Sequence, residues 1–139
     1  MANTIHVDIV SAEGQIFSGE ATRVFAPGSQ GELGIYPRHA PLLTTLTAGE
    51  VRVETEGQEE QSFFVGGGAM EIQPHLVTVL ADTAVRAKDL DEAAALAAKQ
   101  RAEDAVRNRS DKVDIAEAQA ELLRALAQLR AIARLRKAR

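Results

Sequence analysis

Glycine and proline are confined to the first part of this 139-residue chain. All ten Gly lie at or before Gly68 and all four Pro at or before Pro74, so residues 75–139 contain neither. These two residue types make most tight turns and are poor helix formers. The sequence therefore predicts a turn-rich first part and a helical second part, which meet near Ala87.

Charge divides at the same place. Residues 1–87 contain 11 acidic and 4 basic side chains, a net charge of −7, whereas residues 88–139 contain 9 acidic and 12 basic ones, a net charge of +3. The two values sum to the −4 of the whole chain. We therefore expect two domains, residues 1–87 and residues 88–139.

Composition excludes several classes of site. Because the chain has no Cys, it can form no disulfide, thiolate zinc site or cysteine nucleophile. Aromatic residues make up only 4% of a chain with net negative charge, which disfavours nucleic-acid binding. No apolar run approaches the roughly 20 residues of a membrane helix, and no basic-then-apolar signal opens the chain, so we expect a cytoplasmic protein. The three His are scattered along the chain and are expected on the surface or in strands: His6, His39, His75.

The first part has the pattern of short strands. Apolar and polar residues alternate over residues 5–9, 51–55 and 70–72, as in strands with one buried face. Residues 76–81 are apolar except for Thr78, which predicts a strand that is covered on both faces. Closely spaced turn residues separate these runs, so we predict a small β-sandwich or barrel. Residues 66–68 are three Gly without the Lys and helix of a phosphate loop, and we expect a hairpin turn or bulge there.

The second part predicts two helices. Alanine, the strongest helix former, provides 15 of residues 88–139. Asp89 with Glu92 fits a capping box, which predicts a first helix from about Leu90 to Arg107. A polar run breaks it at residues 108–111, and Asp114 with Glu117 predicts the start of the second. Two such helices joined by a short loop form an antiparallel hairpin.

The apolar faces of the two predicted helices differ in size. The second helix carries larger side chains at helical spacing: Ile115, Leu122, Leu126, Leu129 and Ala133. The first offers mainly alanines with a few larger residues: Ala93, Ala97, Ala105, Leu90, Leu96 and Val106. A methyl-sized contact stabilises by about 1 kcal/mol or less, so we expect the hairpin to dock weakly on the sandwich and to be movable.

Basic residues cluster at the end of the chain. No Asp or Glu follows Glu121, and the basic set that we single out is Arg124, Arg130, Arg134 and Lys137. Arg130, Arg134 and Lys137 are expected on one helix face because they are spaced by four and three residues. Either these cations only complement the helix dipole and keep the surface soluble, or they form a docking site for an acidic partner.

Two Gly, two Pro, an aromatic residue and an ionisable pair fall within residues 31–43. Pro fixes φ and Gly permits tight bends, so this segment predicts a rigid loop that is either structural or a contact surface. Its GELGIYP and HAPLL, with VSAEGQIFSG at 10–19 and VLADTA at 79–84, resemble the epsilon subunits of bacterial F-type ATP synthases over essentially the whole chain.

This resemblance implies a flattened antiparallel β-sandwich followed by a two-helix antiparallel hairpin. It also implies a non-catalytic rotor subunit of the central stalk, peripheral on the cytoplasmic face of the inner membrane, that couples proton-driven rotation of the c-ring to ATP synthesis. The implied partners are the gamma subunit and the c-ring, and the alpha and beta subunits of the head through the C-terminal helices, which inhibit ATP hydrolysis.

Specific residues follow from the same resemblance. Glu32, Tyr36 and His39 match contacts with the c-ring and gamma. We expect the basic set to form a regulatory stripe that pairs with acidic segments of the catalytic subunits. Some members bind ATP through a motif in which an Arg stands where this chain has Ala94, so we expect weak or absent ATP binding, no other cofactor and no metal.

One other class remains open on the residues alone. The Gly-rich loops could belong to a free-standing enzyme or small-ligand-binding β-domain. Such a protein would show turnover or binding by itself, whereas a stalk subunit would co-purify with gamma.

Overall fold

The computed structural model describes residues 3–108 and 112–137, and only the backbone of residues 112–114. The chain divides into two compact units, of which the first ends at Arg86 and the second begins at Ala87. The strands of the first unit are β1 Ile5–Ser11, β2 Gly14–Ala21, β3 Arg23–Gly28, β4 Gly31–Ile35, β5 Leu42–Glu54, β6 Gln61–Gln73, β7 Leu76–Ala81 and β8 Ala84–Arg86. The second unit contains a 3-10 helix Ala87–Asp89 and two α-helices, α1 Glu92–Asn108 and α2 Lys112–Lys137.

The strands form one folded sheet in the order β2-β1-β7-β6-β5-β3-β4, and β8 pairs with β6. The fold class, a β-sandwich followed by an antiparallel helical hairpin, is confirmed. One pair differs from the expected antiparallel arrangement, because β1 and β7 are parallel. A tight hairpin forces antiparallel pairing only between strands that it joins, and β1 and β7 are separated by five other strands.

The long strand β6 bends at its three glycines and is therefore part of both layers of the sandwich. Phe63 and Val65 face the core before the bend, whereas Met70 and Ile72 face it afterwards, so the inward positions change from odd to even numbers. Gly67 and Gly68 adopt positive φ values of 107° and 137°, which side chains with a Cβ rarely adopt. The glycines therefore lie inside a continuous strand whose register with β5 runs through them without a shift, so the predicted hairpin turn or bulge is not formed.

The core of the first unit is apolar. It is built from every strand except β8: Ile5, Val7, Ile9, Ala21, Val24, Ala26, Ile35, Leu46, Val51, Val53, Phe63, Val65, Met70, Ile72, Val77, Val79 and Ala81. No polar side chain is buried within the described ranges. The prediction that β7 is covered on both faces is wrong, because Leu80 is 55% exposed on the side opposite Val77 and Val79.

The two helices pack antiparallel through small side chains. Arg136 near the end of α2 donates bidentately to Glu92 at the start of α1, with 3.2 Å between Nη1 and Oε1. The buried positions on the helices are Ala95, Ala102, Ala118, Ala125, Ala127 and Ala131. The predicted faces are therefore wrong in part: Ala93, Ala97 and Ala133 are exposed, and Leu122, Leu126 and Leu129 are only half-buried. The seven-residue spacings within each helix are those of a close coiled-coil seam, which small side chains permit.

The helix starts also differ from prediction. The Ala94 N–H donates to the Asp91 carboxylate at 3.2 Å, so Asp91 caps α1. Asp89, the predicted cap, lies in the preceding 3-10 helix. Helix α2 already includes Lys112, so Asp114 lies inside it and cannot be its N-cap.

Candidate partner-contact site

Two of the three predicted contact residues lie on one face of the β3–β4 hairpin. Glu32 is in β4, and Tyr36 directly follows it. Their even numbers place both side chains on the side opposite the buried Ile35, because successive residues of a strand alternate between faces. The side chain of Glu32 is 58% exposed, and Tyr36 is 52% exposed. Both are therefore accessible on the described surface.

Glu32 is held by an arginine that the sequence did not single out. Arg52 Nη2 donates to Glu32 Oε1, and the Arg52 guanidinium lies over the Phe25 ring, 4.6 Å from its centre. Phe25 and Arg52 are cross-strand partners in the β3–β5 pair, so the arginine reaches across β3 to β4. Its position between Val51 and Val53, which are buried, was the available signal that Arg52 points outwards.

Tyr36 is linked to the sheet in a similar way. Arg23 Nη2 lies 2.5 Å from Glu54 Oε2. A hydrogen bond with the Tyr36 side chain, followed by the charge of Glu54, raises the pKa of the Arg23 guanidinium above its ordinary value. Arg23 and Tyr36 also line an open cavity of about 460 Å³. The site therefore has two exposed residues, each linked to an arginine of another strand: Tyr36 to Arg23 in the adjacent β3, and Glu32 to Arg52 in β5, on the far side of β3.

His39 lies in the loop between β4 and β5 and is half-buried. Its backbone N–H donates to the Tyr36 carbonyl at 3.2 Å, and its Nδ1 lies 2.7 Å from the Ala40 carbonyl, which can only accept. Arg38 has a positive φ of 67°, and its N–H donates to the Pro74 carbonyl at 2.9 Å. The loop therefore has a defined backbone. The prediction of a loop over residues 31–43 is wrong in part, because Gly31–Ile35 form β4 and Leu42 begins β5, so the loop contains the two Pro but neither Gly.

The basic set on α2 does not form a single stripe. Arg130 and Lys137 are exposed and Arg134 is half-buried, and their spacing along a continuous helix places the three on one face. Arg124 lies about 120° around the helix from Arg130, since each residue turns a helix by about 100°. The prediction of a stripe that includes Arg124 is therefore wrong, whereas Arg130, Arg134 and Lys137 share a face.

A separate polar cluster lies on the outer face of β1 and β2. His6 Nδ1 is 3.1 Å from Glu20 Oε1, and its Nε2 is 3.0 Å from Asp8 Oδ1. The hydrogen bond to Glu20, aided by Asp8, raises the pKa of His6. The Ser18 hydroxyl donates to Asp8 at 2.7 Å, and this bond, aided by His6, lowers the pKa of Asp8. Throughout the described part of the chain, no group of three or more His, Asp or Glu is arranged to hold a metal ion.

Comparison with known proteins places both units in one family. Residues 4–87 match the family model of the beta-sandwich domain of the ATP synthase delta/epsilon chain, and residues 88–138 match that of its long alpha-helix domain. The ATP synthase epsilon chain of Nitrosococcus oceani is 62% identical over 137 residues, which cover 99% of this chain and 98% of that one. Epsilon chain 1 of Methylococcus capsulatus is 60% identical and covers 100% and 99% of the two chains.

Solved structures share the fold. A chain in the Euglena gracilis mitochondrial ATP synthase, solved as an OSCP/F1/c-ring assembly, superposes with a TM-score of 0.85 at 17% identity, over 95% of this chain and 83% of that one. A chain of the central stalk and c-ring of the Tetrahymena thermophila enzyme has a TM-score of 0.68 at 12% identity, over 92% and 96%. No helix among the described residues is long and apolar enough to cross a membrane. The two matched domains and the full-length likeness to bacterial epsilon chains show that this chain belongs to the ATP synthase delta/epsilon-chain family.

Proposed function

We propose that this chain is the epsilon subunit of a bacterial F-type ATP synthase and works as a non-catalytic part of its rotor. The observation that carries this conclusion is the likeness of about 60% identity to bacterial epsilon chains over the full length of the chain. An independent enzyme or small-ligand-binding protein is not favoured, because both domains match the same subunit family.

The first unit is suited to transmit torque. Its core is apolar and close-packed, and a close-packed interior deforms little under load. We assign its contacts with the c-ring and gamma to Glu32, Tyr36 and His39, which lie within one hairpin and the loop that follows it. The exposure of Glu32 and Tyr36 and the ordered backbone around His39 support this assignment.

The second unit is suited to act as a brake on ATP hydrolysis. Its buried seam consists of alanines, and a methyl-sized contact stabilises by about 1 kcal/mol or less. Such a hairpin can extend along gamma into the catalytic head without a large free-energy cost. The face formed by Arg130, Arg134 and Lys137 then pairs with acidic segments of the alpha and beta subunits, and this pairing weakens with salt.

The location and cofactor use follow from this role. The subunit is held at the cytoplasmic face of the bacterial membrane by its partners and inserts no segment of its own. The α1 start carries Ala94 where ATP-binding relatives are expected to have Arg, so the guanidinium that this motif would offer to a phosphate is missing.

The brake is tested with charge substitutions in the assembled complex. Replacing Arg130, Arg134 and Lys137 together by Gln should raise ATP hydrolysis towards that of a complex whose subunit ends after Ala87. A matched control replaces three cations of α1, Lys99, Arg101 and Arg107, and should leave hydrolysis unchanged. If truncation after Ala87 leaves hydrolysis unchanged in a complex that still contains the subunit, the proposed inhibition of ATP hydrolysis is wrong and only the coupling role remains.

A further inference from the structure

The turn between β3 and β4 is tied to the sheet from β5. The Ser29 N–H donates to the Thr45 carbonyl at 3.0 Å, and the Thr45 hydroxyl donates to the Ser29 hydroxyl at 2.8 Å. Glu32 follows this turn and is the cross-strand partner of Pro27, whose φ is fixed by its ring. The backbone that carries Glu32 is therefore ordered, and only its side chain still has rotational freedom to lose.

Arg52 removes much of that freedom. Its side chain is only 25% exposed because its flat guanidinium face rests on the Phe25 ring, which directs its N–H donors along the sheet surface towards β4. One of these donors binds Glu32 Oε1. Glu32 Oε2 has no hydrogen-bond partner within residues 3–108 and 112–137. The carboxylate is thus fixed through one oxygen and presents the other to solvent.

This arrangement gives Arg52 a role that the sequence motifs did not assign. We propose that Arg52 is a positioning residue that holds the Glu32 carboxylate in one orientation before the partner binds. A partner loop that offers cationic or N–H donors then meets an acceptor that is already ordered, which lowers the entropy lost on binding. The inference rests on the proposed function, in which Glu32 contacts the c-ring.

The test measures the affinity of the full chain for a membrane complex from which this subunit has been stripped. Glu32→Gln, Arg52→Gln and the double variant form a double-mutant cycle. We expect each single variant to weaken binding about two- to five-fold, the range for exposed charged pairs. The double variant should bind no more weakly than Glu32→Gln alone, because Arg52 acts through Glu32.

Two further variants separate positioning from general effects of charge and folding. Arg52→Lys keeps the charge but not the flat stacked fork, so it should restore only part of the affinity. Arg107→Gln breaks another exposed pair, with Asp104 on α1, and should bind like the wild type. Urea unfolding of every variant shows whether a loss of affinity merely follows a loss of stability.

Several results would overturn the inference. Equal weakening by Arg52→Gln in the wild-type and Glu32→Gln backgrounds would show that Arg52 does not act through Glu32. Unchanged affinity of Glu32→Gln would remove both the contact at Glu32 and the positioning role, while the subunit would still bind as a rotor component. Failure of the wild-type chain to bind the stripped complex would instead contradict the proposed function itself.

Discussion

Replacing Gly68 by Ala tests the bend through which β6 joins the two layers of the sandwich. Gly68 has a φ of 137°, a conformation that side chains with a Cβ rarely adopt. A Cβ built there would overlap the Leu80 carbonyl oxygen and lie 2.9 Å from the Ala81 Cα. Both neighbours are backbone atoms of β7, which pairs with β6 at this point, so they cannot move aside as a flexible side chain would.

Two contributions make up the free-energy cost of Gly68→Ala. Forcing a non-glycine residue into this backbone region costs about 1–3 kcal/mol. Displacing the paired backbone of β7 adds about 1–3 kcal/mol, as in other overpacked sites. The total of about 2–6 kcal/mol is a large part of the stability of a small domain, which is about 5–15 kcal/mol.

Gly14→Ala is the matched control. Gly14 has nearly the same φ, 131°, but a Cβ there would meet nothing within 4 Å. Urea unfolding of the two variants should therefore show that Gly68→Ala lowers the free energy of unfolding by about 1–3 kcal/mol more than Gly14→Ala. If the two substitutions cost the same, the close approach of β6 and β7 at Gly68 is not as described.

Three more predictions test other parts of the molecule. Asp91→Ala removes the cap of α1 and should lower the free energy of unfolding by about 1 kcal/mol, measured by helical circular dichroism during urea unfolding, whereas Asp89→Ala should cost less. Because folding raises the pKa of His6 above 6.5, its protonated form stabilises the fold below that pH, and this contribution is lost as pH rises through the raised value. The stability advantage of the wild type over His6→Gln should thus shrink as pH rises from below 6.5 through the raised pKa of His6, and an advantage that grows with pH would contradict the pairing with Glu20 and Asp8. Calorimetric titration with millimolar ATP should give weak or no binding, and tight binding would show that Ala94 does not remove the nucleotide site.

The first unit was largely predictable because its signals are local. Alternation at Ile5, Val7 and Ile9 places one face in the core, and the structure confirms that all three are buried. The parallel pairing of β1 with β7 was not predictable, because it depends on how distant strands meet and not on the pattern within either strand.

In the helices, the spacing of apolar residues does not identify the buried face. Large apolar residues suggested a face through Leu122 and Leu129, yet the buried positions are alanines such as Ala118 and Ala125. Closely packed helices bury whatever lies at their line of contact, and small residues allow the closest approach. A sequence in which alanine occupies every side of a helix does not indicate which alanines face the partner helix.

Part of the candidate contact site was predictable from the sequence. Glu32, Tyr36 and His39 came from family motifs, and the structure places Glu32 and Tyr36 on one face. Arg52 and Arg23 were not singled out, because the contacts that make them relevant join residues 20 and 13 positions apart on different strands. Such contacts depend on strand order, which the local pattern leaves open.

Rotation of the labelled subunit tests the central claim most directly. Because the chain has no Cys, Gln58→Cys in the exposed β5–β6 turn provides a unique attachment point for a fluorescent or bead label. With the catalytic head fixed to a surface and ATP supplied, the label should turn continuously in one direction. A label that stays stationary while the same complexes hydrolyse ATP would show that this chain is not part of the rotor.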